Sequence, residues 1–290
     1  MQGHPRKPVK AILSDTDNPN LGALIAIGGA EDKTSKSSVL RRAMSLVPDG
    51  DCEVALITAA SGFPEDVFAN YDEAFRELGA KAVHHLDIRT REDARDARNL
   101  ALLDRCGLIF MSGGDQLRLT NLLGGSPMLE RMRGRRDEGV VVAGTSAGAA
   151  AMSATMIYNG AAADALRKGA VKMSAGLALV AGVVIDSHFL ERGRFTRLME
   201  VGATNPEYVG VGIGEDAAVI VHPGPVLEAV GSGHIIIVDS NELGRSNLAD
   251  LEDGEPVALE HVVMHALTSG YGYDVRSRKF LDFGTDFAEL

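Results

Sequence analysis

The sequence has little cysteine, with only two thiols among its 290 residues. Two thiols are too few for the disulfide framework that holds small secreted proteins together. One of them, Cys106, lies in an apolar run that is typical of a buried strand. We therefore expect no structural disulfide and no thiolate metal site, which fits a reducing compartment.

Long apolar runs are also missing. A membrane-spanning helix needs about 18 consecutive apolar residues or more, and no such run occurs. Residues 1–10 contain charges and prolines, and no apolar segment that could serve as a secretion signal follows them. These absences predict a cytoplasmic protein with no membrane partner.

Positive charge is in deficit, because the chain has 29 Lys and Arg residues against 40 Asp and Glu residues, for a formal net charge of −11. Binding to nucleic acid requires clustered Lys and Arg that neutralise phosphates, so we expect no nucleic-acid partner. The acidity favours a cationic substrate, or it serves only to keep the protein soluble.

The length and an apolar content of 45% allow a large core. We interpret the chain as an N-terminal extension, residues 1–21, followed by a single α/β domain, residues 22–290. In the first half, short apolar runs alternate with helical patterns, which predicts a doubly wound, mostly parallel sheet flanked by helices. The predicted strands are residues 23–27, 54–58, 82–86, 108–111 and 140–143, and the predicted helices are residues 35–46, 64–78 and 92–103.

In the second half, apolar runs follow one another closely, which predicts antiparallel strands on one edge in the C-terminal part. Residues 160–174 lack a clean period and are interpreted as a surface loop, and the tail from Arg276 is too polar to assign. The predicted strands are residues 183–185, 209–213, 217–221, 226–230, 234–238 and 259–264, with a charged helix at residues 191–201.

An apolar run leads directly into the pattern Gly144-Thr145-Ser146-Ala147-Gly148, and alanines that favour a helix follow. This order of strand, tight turn and helix predicts a nucleophile elbow, in which Ser146 projects its hydroxyl and the N–H of Ala147 points towards a developing oxyanion. The flanking glycines let strand and helix approach closely. A glycine-rich turn of an α/β fold is the alternative interpretation of so short a pattern.

A serine nucleophile needs a neighbouring base, and the base needs an acid to orient it. His188 follows the strand predicted at residues 183–185, at the edge where open α/β sheets bind ligands. Glu215 is the predicted acid because it lies in a turn between two apolar runs, and Asp216 is its rival. The chain order serine, histidine, acid argues against the lipase and esterase fold, whose order is serine, acid, histidine.

A second glycine turn follows the strand predicted at residues 108–111. Its backbone can supply the second oxyanion N–H from Gly113 or Gly114, and Gln116 can hydrogen-bond substrate. An ordinary turn between strand and helix is the alternative interpretation.

Three arginines follow His188 within three helical turns, namely Arg192, Arg194 and Arg197. Clustered guanidinium groups suit the bidentate capture of carboxylates. A solvated helix face explains the same residues unless a site lies beside them, and His188 predicts such a site.

Two further patterns are rejected as sites. Gly28 and Gly29 resemble a dinucleotide-binding loop only loosely, because the third glycine of that motif is missing. His261 and His265 have the spacing of zinc ligands, but no Glu follows the first and the intervening valines favour a strand.

Taken together, five motifs in chain order resemble the cyanophycinase family. The match runs from about residue 22 to about residue 270, and five motifs at compatible spacing are more specific than any one of them. The motifs are Ile27-Gly28-Gly29-Ala30-Glu31-Asp32-Lys33, Ser112-Gly113-Gly114-Asp115-Gln116, Gly144-Thr145-Ser146-Ala147-Gly148-Ala149, Asp186-Ser187-His188-Phe189 with Arg192, Arg194 and Arg197, and Gly214-Glu215.

The resemblance implies a class I glutamine amidotransferase-like fold, shared with the dipeptidase E group, and a homodimer. It implies a serine-type exopeptidase with Ser146, His188 and Glu215 as its catalytic triad and with no metal or organic cofactor. The implied substrate is cyanophycin, a poly-aspartate that carries arginine on each side-chain carboxyl, and the products are β-aspartyl-arginine dipeptides. The implied substrate-binding residues are Gln116, Asp186, Ser187, Arg192, Arg194 and Arg197.

The sequence departs from the family at one position. The family usually has glutamine immediately before the histidine, and this chain has Ser187, whose shorter side chain has less reach towards a substrate. The first alternative is therefore a dipeptidase E-like serine peptidase that acts on short aspartyl peptides. The second is a binding module without activity, which would not need serine, histidine and glutamate together.

Overall fold

The structure is a computed structural model that describes residues 18, 20–48, 52–222, 224 and 226–284. Most of the expected N-terminal extension, residues 1–17 and 19, lies outside this part of the chain. Among the described residues, no helix combines the length and the apolar character needed to cross a bilayer.

The first half of the chain forms five parallel strands joined by helices. Every predicted strand of this half is present, and its bounds differ from the predicted ones by two residues at most. The strands are β1 (Leu24–Ile27), β2 (Glu53–Ile57), β3 (Ala82–Leu86), β4 (Leu108–Met111) and β5 (Val141–Thr145). The helices are α1 (Ser38–Ser45), α2 (Pro64–Glu77), α3 (Ala97–Leu103), α4 (Gln116–Leu123) and α5 (Pro127–Asp137), and a 3₁₀ turn, Asp93–Arg95, precedes α3.

The parallel strands are apolar at nearly every position because both faces of their sheet are buried. Side chains alternate between the faces along each strand. In β1, for example, Leu24 and Ala26 pack into one cluster of buried residues, while Ile25 and Ile27 pack into another on the opposite face. The helices that join the strands cover these two faces.

The second half adds a short helix, a longer helix and ten strands. Its helices are α6 (Ala147–Ala150) and α7 (Phe195–Thr204), and a 3₁₀ turn spans Leu248–Asp250. The strands are β6 (Thr155–Asn159), β7 (Lys172–Ala175), β8 (Val183–Ser187), β9 (Val209–Ile213), β10 (Ala217–His222), β11 (Val226–Gly231), β12 (Ile235–Asp239), β13 (Val263–Leu267), β14 (Tyr271–Asp274) and β15 (Lys279–Asp282).

Three sheets result. The largest has nine strands in the order β15-β14-β11-β10-β1-β5-β4-β2-β3, in which the five strands of the first half are parallel and the other four are antiparallel. The predicted α/β fold class is thereby confirmed. A second sheet has the order β13-β12-β9-β8, and β6 pairs with β7.

The second sheet differs from the expectation of antiparallel strands on one edge, because β9 and β12 lie outside the large sheet and pair with each other. The physical reason lies in the alternating glycines of β9. A Cβ on Gly212 would lie 2.5 Å from Cδ1 of Phe189, and one on Gly210 would lie 3.2 Å from Cβ of Leu198. Glycine therefore lets Phe189 and α7 cover one face of this sheet, while Val211 faces the main core.

Candidate active site

Strand β5 ends in a strained turn at Ser146. The backbone of Ser146 has φ 52° and ψ −107°, outside the region that L-residues favour, and α6 begins at the next residue. Two glycines make the turn possible, since a Cβ on Gly144 would lie 2.7 Å from the carbonyl carbon of Gly148 and one on Gly148 would meet the backbone of Met111. The predicted nucleophile elbow is therefore present as a local structure.

The structure brings Ser146, His188 and Glu215 together. His188 directly follows β8, and Glu215 lies in the turn between β9 and β10. Ser146 Oγ lies 2.9 Å from His188 Nε2, and Glu215 Oε1 lies 2.7 Å from His188 Nδ1. A carboxylate at Nδ1 keeps the proton on that nitrogen and leaves Nε2 free to accept the serine proton.

Asp216, the rival acid of the sequence prediction, points elsewhere. Its Oδ1 accepts a hydrogen bond of 3.0 Å from the backbone N–H of Asp32, and its Oδ2 accepts the hydroxyl proton of Ser232. The first bond holds the turn between β9 and β10 against the loop that follows β1, and the second holds it against the end of β11. The neighbouring carboxylates thus have separate positions, and only Glu215 contacts the imidazole.

The end of β1 and the glycine loop after it contact Ser146, His188 and the residue that follows Glu215. Ile27 accepts the N–H of Ser146 at 2.9 Å, Gly28 accepts the N–H of His188 at 2.9 Å, and Gly29 accepts the N–H of Asp216 at 3.1 Å. Gly29 has φ +106°, and a Cβ there would lie 2.5 Å from Nε2 of His188. The sequence analysis rejected a cofactor site at these glycines. It did not predict their backbone hydrogen bonds to the segments that carry the histidine and the glutamate.

The backbone regions that the sequence predicts as oxyanion donors lie on either side of Ser146. Ala147 begins α6 directly after the serine. Gly113 flanks the serine on the other side, since a Cβ on it would lie 3.3 Å from Ser146 Cβ and 3.8 Å from Ser146 Oγ. Gly114 is exposed and has φ +139°, and it packs tightly against the carbonyl of Ala60.

A cavity of about 320 Å³ opens beside the serine. Ser146, His188 and Gly113 form one wall of it. The remaining lining comes from the glycine loop, from Thr145 and from one face of α2, namely Gly29, Ala30, Glu31, Lys33, Val67, Asn70, Tyr71 and Thr145.

The sequence did not predict the buried carboxylate in this lining. Glu31 is 3% exposed, and it accepts hydrogen bonds from the hydroxyls of Tyr71 and Thr145, the latter at 2.7 Å. Burial, together with the neighbouring Glu31, raises the pKa of Tyr71 well above its usual value, so the phenol stays protonated and donates. Lys33 Nζ lies 3.3 Å from Glu31 Oε1. Glu31, Lys33 and Thr145 belong to motifs that resemble the family, whereas Tyr71 lies in α2 outside them. The sequence assigned none of the four a role.

Most of the predicted substrate-binding residues lie under the histidine turn. Asp186 is 3% exposed, and Arg194 and Arg197 contact its two oxygens at 3.0 and 3.1 Å. Burial raises the pKa of Asp186, and both guanidinium groups oppose that rise. Ser187 is 6% exposed, and its carbonyl accepts a bond from Arg194 at 2.7 Å. This cluster holds the end of β8, next to the histidine.

The other two predicted substrate-binding residues have different surroundings. Gln116 donates from its amide to the carbonyl of Ile157 at 3.1 Å, which ties α4 to β6. Arg192 is exposed to solvent. Neither is among the residues that line the cavity beside Ser146.

One group of side chains has the composition of a metal site. The ligand atoms of Glu53, His84 and Cys106 lie within 4.8 Å of one another, at the sheet edge opposite the candidate active site. Glu53 already bonds His84 at 2.6 Å and Arg105 at 2.9 Å, and burial raises the pKa of Cys106 to about 12. A protonated thiol and a guanidinium beside the carboxylate both oppose a bound cation. His261 and His265 have no comparable cluster among the described residues.

Comparison with known proteins gives consistent results. The model of a family described as peptidase family S51 matches residues 24–228. A protein named cyanophycinase from Geminocystis herdmanii is 35% identical over 258 residues, which cover 89% of this chain and 95% of that protein. Another protein of that name, from Trichormus variabilis, is 34% identical over 278 residues, which cover 96% of this chain and 93% of that protein.

A solved structure supports the same fold. The crystal structure of a peptidase from an acI-B1 Actinobacterium superposes with a TM-score of 0.63 and covers 88% of this chain and 97% of its own. Its sequence is only 20% identical, so this likeness concerns the fold alone.

Proposed function

Because the chain belongs to peptidase family S51 and is therefore a serine-type peptidase, we propose that it is a cyanophycinase, which hydrolyses cyanophycin to β-aspartyl-arginine dipeptides as an exopeptidase. One observation carries the proposal. Ser146, on a strained elbow, is hydrogen-bonded to His188 at 2.9 Å, and His188 is hydrogen-bonded to Glu215 at 2.7 Å. The chain that bears them is 35% identical to a protein named cyanophycinase over nearly its whole length.

The proposed reaction begins at Ser146. Its Oγ attacks the backbone carbonyl carbon of an aspartyl residue, and His188 Nε2 takes the hydroxyl proton. Glu215 stabilises the imidazolium that forms, and the N–H groups of Ala147 and of Gly113 or Gly114 stabilise the oxyanion. An ester between Ser146 and the aspartyl carbonyl results when the carbon–nitrogen bond breaks.

His188 then completes the cycle. The imidazolium gives its proton to the leaving amine, which departs as the shortened polymer or the dipeptide. Water enters, His188 takes one of its protons, and the hydroxide oxygen attacks the ester. The acyl group leaves as a carboxylic acid and Ser146 regains its proton, so no redox step or co-reactant is needed.

Incubation with insoluble cyanophycin tests this function. The native chain, Ser146→Ala and the matched control Ser45→Ala, which removes a hydroxyl from an exposed part of α1, are each incubated with the polymer, and the products are read by mass spectrometry. We expect β-aspartyl-arginine from the native chain and the control, and none from Ser146→Ala. An intact polymer together with cleaved aspartyl dipeptides would favour the dipeptidase alternative instead.

We also propose a homodimer in the cytoplasm, with residues 22–290 acting as one catalytic domain. Both cysteines are free, in keeping with a reducing compartment. Strands β13, β14 and β15 carry part-exposed apolar side chains that suit a subunit contact, namely Val263, Met264, Tyr271 and Phe280. Light scattering after gel filtration should give twice the chain mass of 30.6 kDa, and a mass equal to one chain would contradict the dimer.

A further inference from the structure

Lys33 is the one lysine among the lining residues of the cavity beside Ser146, and no arginine lines it. Apart from His188, the rest of the lining is apolar, neutral or acidic. The whole chain has a formal net charge of −11, which repels an anionic group at long range. A single ammonium group in the cavity therefore has a large influence on which substrate groups bind there.

Lys33 is held in place by three contacts. Its Nζ lies 3.3 Å from Glu31 Oε1 and 3.2 Å from the backbone oxygen of Glu31, and it lies 4.7 Å from the centroid of the Tyr71 ring. Glu31 is itself fixed, because the hydroxyls of Tyr71 and Thr145 donate to its carboxylate. The ammonium position is thus set before any substrate arrives, which lowers the entropy cost of binding.

The ammonium group still has capacity for a ligand. It has three N–H donors, and its two polar contacts both go to Glu31. The Glu31 carboxylate also accepts hydrogen bonds from two hydroxyls, so its oxygens are divided among three donors. The Lys33 side chain is 26% exposed, and the exposed amide of Asn70 lies in the same cavity lining.

Two of the three arginines that resemblance assigned to substrate binding, Arg194 and Arg197, are less available than Lys33. Arg197 has a side chain that is only 5% exposed, and it contacts Asp186 and the carbonyl of Gly160. Arg194 contacts Asp186 and the carbonyl of Ser187. A substrate carboxylate would have to displace Asp186 from both guanidinium groups, and it would leave that buried acid unpaired.

We infer that Lys33, with Asn70 of the same cavity lining, binds a substrate carboxylate next to the scissile bond and thereby determines specificity. The inference rests on the proposed function: in cyanophycin each arginine keeps a free α-carboxylate, which supplies the anionic group. The cation at Lys33 selects peptides that carry this carboxylate over neutral peptides of the same shape.

Two soluble substrates test the inference. One is a short oligomer of β-aspartyl-arginine units, and the other is the same oligomer with carboxamides in place of the arginine α-carboxylates. The readout is the ratio of kcat/KM for the carboxylate oligomer to that for the carboxamide oligomer. A ratio measured within one variant cancels any loss of folded protein, so a folding defect cannot imitate the effect.

The native chain should prefer the carboxylate oligomer by roughly 10- to 100-fold, as expected for a hydrogen bond between charged groups. Lys33→Met should bring the ratio close to one, mainly through a higher KM for the carboxylate oligomer, and Lys33→Arg should restore part of it. The matched control is Lys36→Met, which removes the same charge from an exposed position three residues away. It should keep the native ratio.

Three results would overturn the inference. If Lys33→Met kept the native ratio, or if the ratio fell to one in Arg192→Met instead, the substrate carboxylate would bind elsewhere. The proposed function would then still hold. A native chain that hydrolyses both oligomers equally would show that no such selection exists. A native chain that hydrolyses neither oligomer would overturn the proposed function, and the inference would fall with it.

Discussion

At the residue scale, chemistry made part of the site predictable. Ser146 is identifiable because an elbow requires glycine on both sides of the nucleophile, and these glycines are separated from it by one residue each. His188 and Glu215 each follow an apolar strand, and ends of strands in such a sheet lie at its ligand edge. Local patterns of this kind can be recognised in a single sequence.

Other residue roles were not predictable, since they depend on contacts between distant segments. Glu215 and Asp216 are neighbours with the same charge, and only the hydrogen bonds in the structure show which of them contacts the imidazole. Arg194 and Arg197 were expected at the substrate, but Asp186 lies between them and is buried. Sequence spacing indicates which residues share a helix face, and it does not indicate which partner that face meets.

Replacing Glu215 tests the acid of the array. Glu215→Gln keeps the shape but allows the amide to select the wrong imidazole tautomer, so we expect kcat to fall by about 10⁴-fold. Thermal stability should change little, because the Glu215 side chain is 39% exposed. Glu242→Gln is the control at an exposed site, and it should keep native activity. Steady-state kinetics check this, and a loss below about tenfold would exclude Glu215 from the role.

At the element scale, strands were more predictable than their sheet partners. The apolar runs of the sequence predicted all five strands of the first half. No helix was predicted at residues 127–137, where the structure has α5. Strand β13 begins at Val263, four residues beyond the predicted start, and β15 lies in the tail judged too polar. Both are half-exposed edge strands, and an edge strand has no continuous apolar run to reveal it.

The loop after β1 acts through backbone contacts with other elements. Its backbone oxygens accept hydrogen bonds from the segments that carry the serine, the histidine and Asp216. None of these contacts uses a side chain of the loop, so the sequence shows only the small residues that make the approach possible. The glycine pattern was interpreted as a family marker, and its function is to bring three distant turns together.

Substituting one glycine of this loop tests its function. Gly29→Ala places a Cβ 2.5 Å from His188 Nε2 at a backbone with φ +106°, so the imidazole must move. A displacement of this size costs about 10²-fold in rate when it affects a catalytic group, and we expect a fall in kcat of at least that size. Gly62→Ala is the control, because a Cβ there meets nothing within 4 Å. Equal kcat values for the two variants would contradict the account.

At the scale of the whole molecule, one core joins the two larger sheets. The same cluster of buried residues includes Leu24 and Ile57 of the nine-stranded sheet and Val209, Ile235 and Leu267 of the four-stranded sheet. The strand β1 near the start of the described chain also shares a sheet with β14 and β15 near its end. Such continuity predicts that the two sheets unfold together.

The buried thiol of Cys106 reports on that unfolding. Burial raises its pKa to about 12, so at pH 8 the folded protein holds it as an unreactive thiol. Unfolding returns the pKa to its ordinary value and exposes the sulfur. In the variant Cys52→Ala, where Cys106 is the remaining thiol, labelling by a thiol reagent should rise with urea along the same curve as the loss of circular dichroism. Labelling that precedes the loss of structure would show that the core opens in parts.

The most direct test of the whole account is the mass of the protein during turnover. Native chain and a soluble cyanophycin fragment are mixed, quenched in acid within milliseconds to seconds, and digested for peptide mapping. We expect a transient increase in mass equal to the acyl part of the fragment, which is one β-aspartyl-arginine unit or the shortened fragment, on the peptide that contains Ser146, and no such increase in Ser146→Ala. An acyl group on another residue, or full activity in Ser146→Ala, would contradict the account.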